Sequence, residues 1–247
     1  MGVEITGRGF LASHMERLRP RHPHALLLAA GVSSTVADAA HDFDREAELC
    51  YEMVRRCRAA GRTLVFLSTA SAAMYGGPDG DGREDGPVFP PSPYGRHKLA
   101  LETVVRSSGV QHLVLRLGHV VGPRQRGHQF VPALVRALRS GSVLVHKGAT
   151  RDLIAVEDVV TLTDRLLGLG VADETVNVVS GRTTSVENIL DHMERRLGLR
   201  AGRTEVDGPL AGCHPSAAKL RRLVPNLHDL GFDENYFRRA IDSYLQS

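Results

Sequence analysis

Hydrophobic and polar positions divide this chain of 247 residues into two kinds of segment. Short, uninterrupted apolar runs read as strands buried on both faces: Val3–Thr6, Ala25–Ala30 (ALLLAA), Thr63–Thr69 (TLVFLST) and Leu113–Leu117. The longer stretches between them read as helices, one ending at about Leu18, one from near Ala37 to Ala60, and one opened by Tyr94 and running to about Ser108. Further helices are expected near Gln129–Arg139, Val156–Leu167 and Ser185–Leu197. Short strands are expected near Val143–His146 and Thr175–Val179, and an amphipathic helix near Glu234–Leu245. Strands and helices alternating at these lengths imply an α/β fold, a parallel sheet with helices on both faces.

Composition narrows the class. Apolar residues make up 42 % and charged residues 24 %, the balance of a soluble globular protein with one large domain or one domain and a small appendage. A net charge of +3, carried by scattered basic residues, gives no footprint for nucleic acid. No apolar run approaches the ~20 residues of a membrane span, and the N-terminus lacks a signal-peptide pattern. Cys50, Cys57 and Cys213 are odd in number and lack ligand spacing, which reads as reduced, structural thiols and a cytoplasmic protein. The twelve histidines are dispersed, and no metal site is expected.

Two local patterns carry chemistry. Gly7-x-Gly9-x-x-Ala12 follows a strand and opens a helix, as a dinucleotide-binding fingerprint does. Gly7 permits the tight turn, Gly9 lets the backbone approach a pyrophosphate, and Ala12 permits close helix–strand packing. The second pattern is Ser-Pro-Tyr94-Gly-Arg-His-Lys98. A tyrosine and a lysine four apart share one helix face, and the ammonium is expected to lower the phenol pKa towards neutrality, giving a general acid/base. Lysine is scarce in this chain, Lys98 being accompanied only by Lys147 and Lys219.

The neighbours of these patterns extend the picture. The strand Thr63–Thr69 leads into Ser71-Ala72-Ala73-Met74-Tyr75-Gly76, then a Pro-rich loop and the Tyr94/Lys98 segment. This order resembles the extended short-chain dehydrogenase/reductase family of nucleotide-sugar epimerases, dehydratases and ketoreductases. Leu115–Arg124 (LRLGHVVGPR) resembles that family's substrate-side strand and loop, and Arg151–Asp158 (RDLIAVED) its Arg-Asp-Phe-Ile-x-Val-x-Asp segment. The resemblance implies a Rossmann-like doubly wound sheet using NAD or NADP. Residues 1–125 would form a shortened dinucleotide-binding core; residues 126–247 would return one strand to the sheet and build a small substrate lobe.

By the same resemblance, Ser71, Tyr94 and Lys98 are catalytic. Gly7, Gly9, Phe10, Leu11, Ala29, Ala30 and Lys98 face the cofactor, and His119, Arg124 and Arg151 face the substrate. Ala72 and Ala73 stand where 4,6-dehydratases of the family carry Asp-Glu, which disfavours that reaction. Glu46 falls about where the family often has an asparagine. His119 replaces another asparagine, with a donor to substrate and a structural role both open.

One element is missing from the pattern. The acidic residue expected ~20 residues after the glycines is absent, and the chain passes through Arg19-Pro20-Arg21-His22-Pro23 straight into Ala25–Ala30. That strand resembles the family's fourth, as though the second and third had been lost. In the 3-2-1-4-5-6 order this trims one edge. If the first helix keeps its parent face, it also makes the first crossover left-handed, a hand seen in about 2 % of such units. The reading is an NAD(P)-dependent enzyme reducing or epimerising a 4-keto position of a nucleotide-linked sugar, homodimeric through its two long helices. The alternative is a degenerate member that binds a sugar nucleotide or a protein partner without turnover.

Overall fold

In the computed structural model, which describes residues 2–32, 40–76, 82–207 and 212–246, the apolar runs form the strands expected of them. In chain order the elements are β1 Glu4–Thr6, α1 Phe10–Met15, β2 Ala25–Leu28, α2 Ala40–Ala60, β3 Thr63–Thr69, α3 Ala72–Tyr75, α4 Pro93–Ser107 and β4 His112–Leu117. There follow β5 His119–Val121, α5 Phe130–Arg139, β6 Ser142–His146, β7 Thr150–Ala155, α6 Val156–Gly168 and β8 Glu174–Val178. The chain ends with β9 Thr183–Ser185, α7 Val186–Leu197, β10 Gly202–Val206, α8 Ala218–Leu223 and α9 Tyr236–Leu245.

Five strands make one parallel sheet in the order β1-β2-β3-β4-β8. Every residue of β2, β3 and β4 is buried, as a sheet covered on both faces requires. Leu27, Val65 and Leu115 point to one face, where Ala12 and Met15 of α1 pack with Val159 and Leu166 of α6. Leu26, Leu64 and Phe66 point to the other, against Cys50 and Met53 of α2 and Leu101 of α4. The fold is therefore α/β and Rossmann-like.

This division settles the question of hand. The connections β1–α1–β2 and β2–α2–β3 step across the sheet in the same direction, yet their helices lie on opposite faces. Two such crossovers have opposite hand, so one of them belongs to the rare left-handed class. Among the described residues β1 has no strand on its outer side, and it stands at the edge.

Beyond the sheet, β5, β7 and β9 form a three-stranded sheet and β6 pairs with β10 in parallel. Together with α5, α7 and α9 these enclose a second apolar core around Leu134, Val145, Leu153, Ile189, Met193 and Ile241. The boundaries differ from the sequence reading in places. The first helix gives way after Met15 to a 3-10 turn, Glu16–Leu18, and β2 stops at Leu28, two residues early. The expected start of the long helix, at 37–39, lies outside the described residues, as do 33–36. Strands β5, β7, β9 and β10 were not expected. Cys50, Cys57 and Cys213 are buried and unpaired. No helix among the described residues is long and apolar enough to cross a membrane, and no group of three His, Cys, Asp or Glu among them is placed to hold a metal.

Candidate active site

The carboxyl ends of β1 to β4 point the same way, so the segments following them converge on one rim of the sheet, where open α/β sheets bind ligands. At the first strand, Gly7 has φ 144°, and an added Cβ would lie 2.5 Å from the Ala29 carbonyl oxygen. Only glycine fits there. Gly9 caps α1 without a side chain, and a Cβ on it would meet only the Arg126 guanidinium, at 4.0 Å. That open backbone beside a cation fits an anionic pyrophosphate. Phe10 is buried and Leu11 half-buried on the same turn. Ala29 donates its N–H to the Thr6 carbonyl at 2.8 Å, which ties the end of β2 to β1, and Ala30 and Gly31 follow it. The expected acid is absent here, since β2 is followed by Ala29-Ala30-Gly31-Val32.

Ser92 caps α4 by accepting the Gly95 N–H at 3.1 Å, with Pro93 in the first turn. This start places Tyr94 and Lys98, both buried, against the end of β3. Lys98 Nζ lies 5.9 Å from the Tyr94 ring centroid and 5.3 Å from that of Phe66. The Thr69 hydroxyl faces the Tyr94 phenol and lowers its pKa, and it sits 2.9 Å from Ser71 Oγ. Ser71 also caps α3, accepting the Ala73 N–H at 3.2 Å. Thr69 thus stands between the two residues that the sequence singles out. Thr69, the middle member, was missed; its signal was the run of small hydroxyl residues closing the strand.

Close packing of α3 on α4 depends on Gly95. A Cβ there would fall 1.6 Å from the Ala73 carbonyl oxygen. Gly95→Ala must push the helices apart, and a loss of about 1–3 kcal/mol is expected, read from the midpoint of urea unfolding. An unmoved midpoint would show that the helices have room to spare.

Lys98 is engaged in a way the sequence did not show. Its ammonium donates to Glu46 Oε1 at 2.5 Å and to the Leu67 carbonyl at 3.2 Å. Glu46 Oε2 accepts the Val32 N–H at 2.9 Å and lies 3.2 Å from His97 Nε2. Burial by itself would raise the Glu46 pKa. The Lys98 charge, the His97 and Lys98 hydrogen bonds and the Val32 N–H outweigh it and hold the carboxyl down at about 2. Tyr94 goes the opposite way from expectation. Burial dominates and raises its pKa, Lys98 lowers it, Glu46 raises it again, and the Thr69 hydrogen bond lowers it; the net shift is upward. The anticipated acidified phenol is not what this geometry produces.

The Glu46 shift has a stability consequence. Between its ordinary value of 4.5 and about 2 the unfolded chain takes up a proton that the folded chain refuses. Stability contributed by Glu46 is therefore present above pH 4.5 and lost as pH falls through that window. Glu46→Gln is expected to flatten this part of the acid-unfolding curve; equal slopes for the two proteins would refute the pairing.

Of the expected substrate contacts, the structure brings together two. The His119 and Arg151 side chains both lie against the Phe130 ring, at 5.6 Å and 5.4 Å from its centroid. Burial, then the charge of Arg151, pushes the His119 pKa down to about 3, so the imidazole is neutral. Burial likewise lowers the pKa of Arg151. Arg124 stands apart, exposed in the turn after β5 with φ 64°. Cys213, not foreseen here, reaches the Ala70 carbonyl with its thiol at 3.6 Å.

A buried polar network braces this rim from behind. Glu102 accepts from Arg116 Nη2 at 2.7 Å and from Ser68 Oγ at 2.5 Å. Arg116 Nη1 donates to the Tyr75 hydroxyl at 3.0 Å, which donates to Asn177 Oδ1 at 2.6 Å. One chain of hydrogen bonds therefore ties β3, α4, β4, α3 and β8 together.

Comparison with known proteins fits this geometry. The family model described as "NAD dependent epimerase/dehydratase family" matches residues 3–179. This chain belongs to the NAD-dependent epimerase/dehydratase family. A putative UDP-glucose 4-epimerase of Methanocaldococcus jannaschii is 31% identical over 160 residues, covering 60% of this chain and 51% of that protein. A dTDP-6-deoxy-L-talose 4-dehydrogenase (NAD(P)(+)) of Kitasatospora kifunensis is 32% identical over 139 residues, covering 51% and 44%. The chain thus spans about half the length of these curated relatives. Among solved structures, MoeE5 in complex with UDP-glucuronic acid and NAD superposes with a TM-score of 0.81 at 22% identity, covering 100% of this chain and 98% of the other. At that identity the likeness speaks for the epimerase/dehydratase fold alone.

Proposed function

We propose that this family member is an NAD(P)-dependent oxidoreductase or epimerase of nucleotide-linked sugars that acts at a 4-keto position. The observation that carries this reading is the grouping of the Ser71, Thr69 and Tyr94 hydroxyls beside Lys98 at the carboxyl rim of the sheet. In it, Ser71 holds the substrate oxygen and Tyr94 gives or takes the proton. Gly7, Gly9, Phe10 and Leu11 would cradle the pyrophosphate of NAD or NADP, with Ala29 and Ala30 alongside and Lys98 at the ribose. A nicotinamide bound there would supply or accept the hydride. Neutral His119 and the Arg151 guanidinium, with Arg124 at the mouth, would take the substrate's diphosphate end.

The names of both curated relatives refer to chemistry at position 4, which supports the choice of carbon. Ala72 and Ala73 carry no proton to transfer, which argues against 4,6-dehydration. Loss of the parent fold's second and third strands accounts for β1 at the edge. A homodimer through the outer faces of α2 and α4 follows the family habit, and Tyr51 on α2, 51% exposed, suits such an interface. A non-catalytic member would be favoured by the engagement of Lys98 with Glu46.

The test is a screen of 4-keto-sugar nucleotides and their alcohols with both cofactors, followed by nicotinamide absorbance. At least one pair should be consumed at a rate proportional to protein. If neither cofactor binds at about millimolar concentration, some −4 kcal/mol of affinity, the enzymatic reading is overturned in favour of the binding one.

A further inference from the structure

We propose that Glu46 is a positioning residue that clamps and neutralises the Lys98 ammonium, so that Tyr94 works from its protonated form and the site gives a proton rather than removing one. This deepens the reading above and, within it, selects carbonyl reduction. The phenol O–H bond breaks as an O–H bond forms on the substrate carbonyl oxygen, while the carbonyl carbon receives a hydride whose source is a reduced nicotinamide. The phenolate left behind is reprotonated from solvent.

The geometry leaves the carboxylate little freedom. Its two oxygens are spoken for by Lys98 Nζ at 2.5 Å, the Val32 N–H at 2.9 Å and the His97 ring at 3.2 Å. His97 is itself fixed by the Phe43 ring, with centroids 4.5 Å apart. The loop after β2 seals the pair: a Cβ on Gly31 would lie 2.4 Å from Glu46 Oε1 and 2.8 Å from Lys98 Nζ. An ammonium and a carboxylate this close act on a third group as a small dipole, since the two charges largely cancel beyond a few ångströms. An asparagine, which the resemblance places here, carries no charge to do this.

The other groups facing the pair do not restore the positive field. Among the described residues, α2 brings Glu46 and the Cys50 thiol; α4, His97, Lys98 and Glu102; β3, the Thr69 hydroxyl and the Phe66 ring; and residues 29–32 after β2, the Val32 N–H. Burial is the first cause of the upward shift of the Tyr94 pKa, and Glu46 adds to it by opposing the lowering from Lys98.

The experiment is an ultraviolet titration of tyrosine ionisation in the protein without cofactor or substrate, taken as wild type minus Tyr94→Phe. No phenolate from Tyr94 is expected below its ordinary range, about pH 10. Glu46→Gln, which keeps the shape and removes the charge, should bring ionisation down by about one unit or more. Glu46→Gln combined with Lys98→Met, which removes both charges, should return it near the wild-type value. Phenolate in the wild type below about pH 8, or a Glu46→Gln titration superposable on wild type, overturns the proposal. Phenolate below about pH 8 in the difference between wild type and Tyr94→Phe overturns the proposal even if the two charge variants do not fold. Because the titration needs no turnover, its outcome is independent of the screen above. A titration as expected with no keto-sugar reduced removes the reductase reading and leaves Glu46 its effect on the phenol.

Discussion

Tyr94→Phe is expected to lower turnover by about 10²–10⁴-fold, the usual worth of a positioned proton donor, with the fold intact. The ring stays in place, because Tyr94 is packed in a buried cluster with Val32 and Ala73. What is lost is one hydroxyl, and its neighbour Thr69 keeps its hydrogen bond with Ser71 Oγ at 2.9 Å. The stability change should therefore stay within about 1 kcal/mol. Cofactor binding should not change either, since no part of the proposed cradle is removed. The measurement is initial rate and nicotinamide fluorescence on the same preparation, with the unfolding midpoint as a control. Equal rates for the two proteins would strip Tyr94 of its role. A rate loss accompanied by a large drop in midpoint would mean that the phenol oxygen is structural.

Glu102→Ala should produce the largest loss of stability. The Glu102 and Arg116 side chains are 0% and 2% exposed, and among the described residues the carboxylate is the only acid bonded to that guanidinium. Removing it strands a buried positive charge and frees Ser68 Oγ, at a cost of about 3–5 kcal/mol. Against a typical domain stability of about 5–15 kcal/mol, that brings the protein near its unfolding threshold. Urea unfolding gives the number. Replacing both ends with apolar residues, Glu102→Leu with Arg116→Met, should recover much of the loss, because no uncompensated charge remains. If the single variant unfolds at the wild-type midpoint, or the double is as unstable as the single, the network does not brace the rim.

The sequence was most legible where physics is local. The strands β2, β3 and β4 each carry three or four consecutive apolar residues, so their burial on both faces, and with it the parallel sheet, could be read directly. The same holds for the spacing of Tyr94 and Lys98, which follows from helix geometry. Strands such as β9 (TTS) and β10 (GRTEV) carry no such signal. They exist because β7 and β6 offer them edges, a tertiary fact. The Glu46–Lys98 pair is equally non-local, joining residues 52 apart in sequence. Without that pair in view, the spacing of Tyr94 and Lys98 suggested an acidified phenol. The helix pattern also located α1 without revealing which face it covers, and that choice decides the hand of the first crossover.

That choice of face reaches as far as handling at the bench. With β1 the outermost strand among the described residues, a dinucleotide on the proposed Gly7–Leu11 cradle would have β2 on one side and no further strand on the other. Held from one side, it should come and go as a second substrate, so the protein is expected to leave a desalting column stripped and to need cofactor resupplied in every assay.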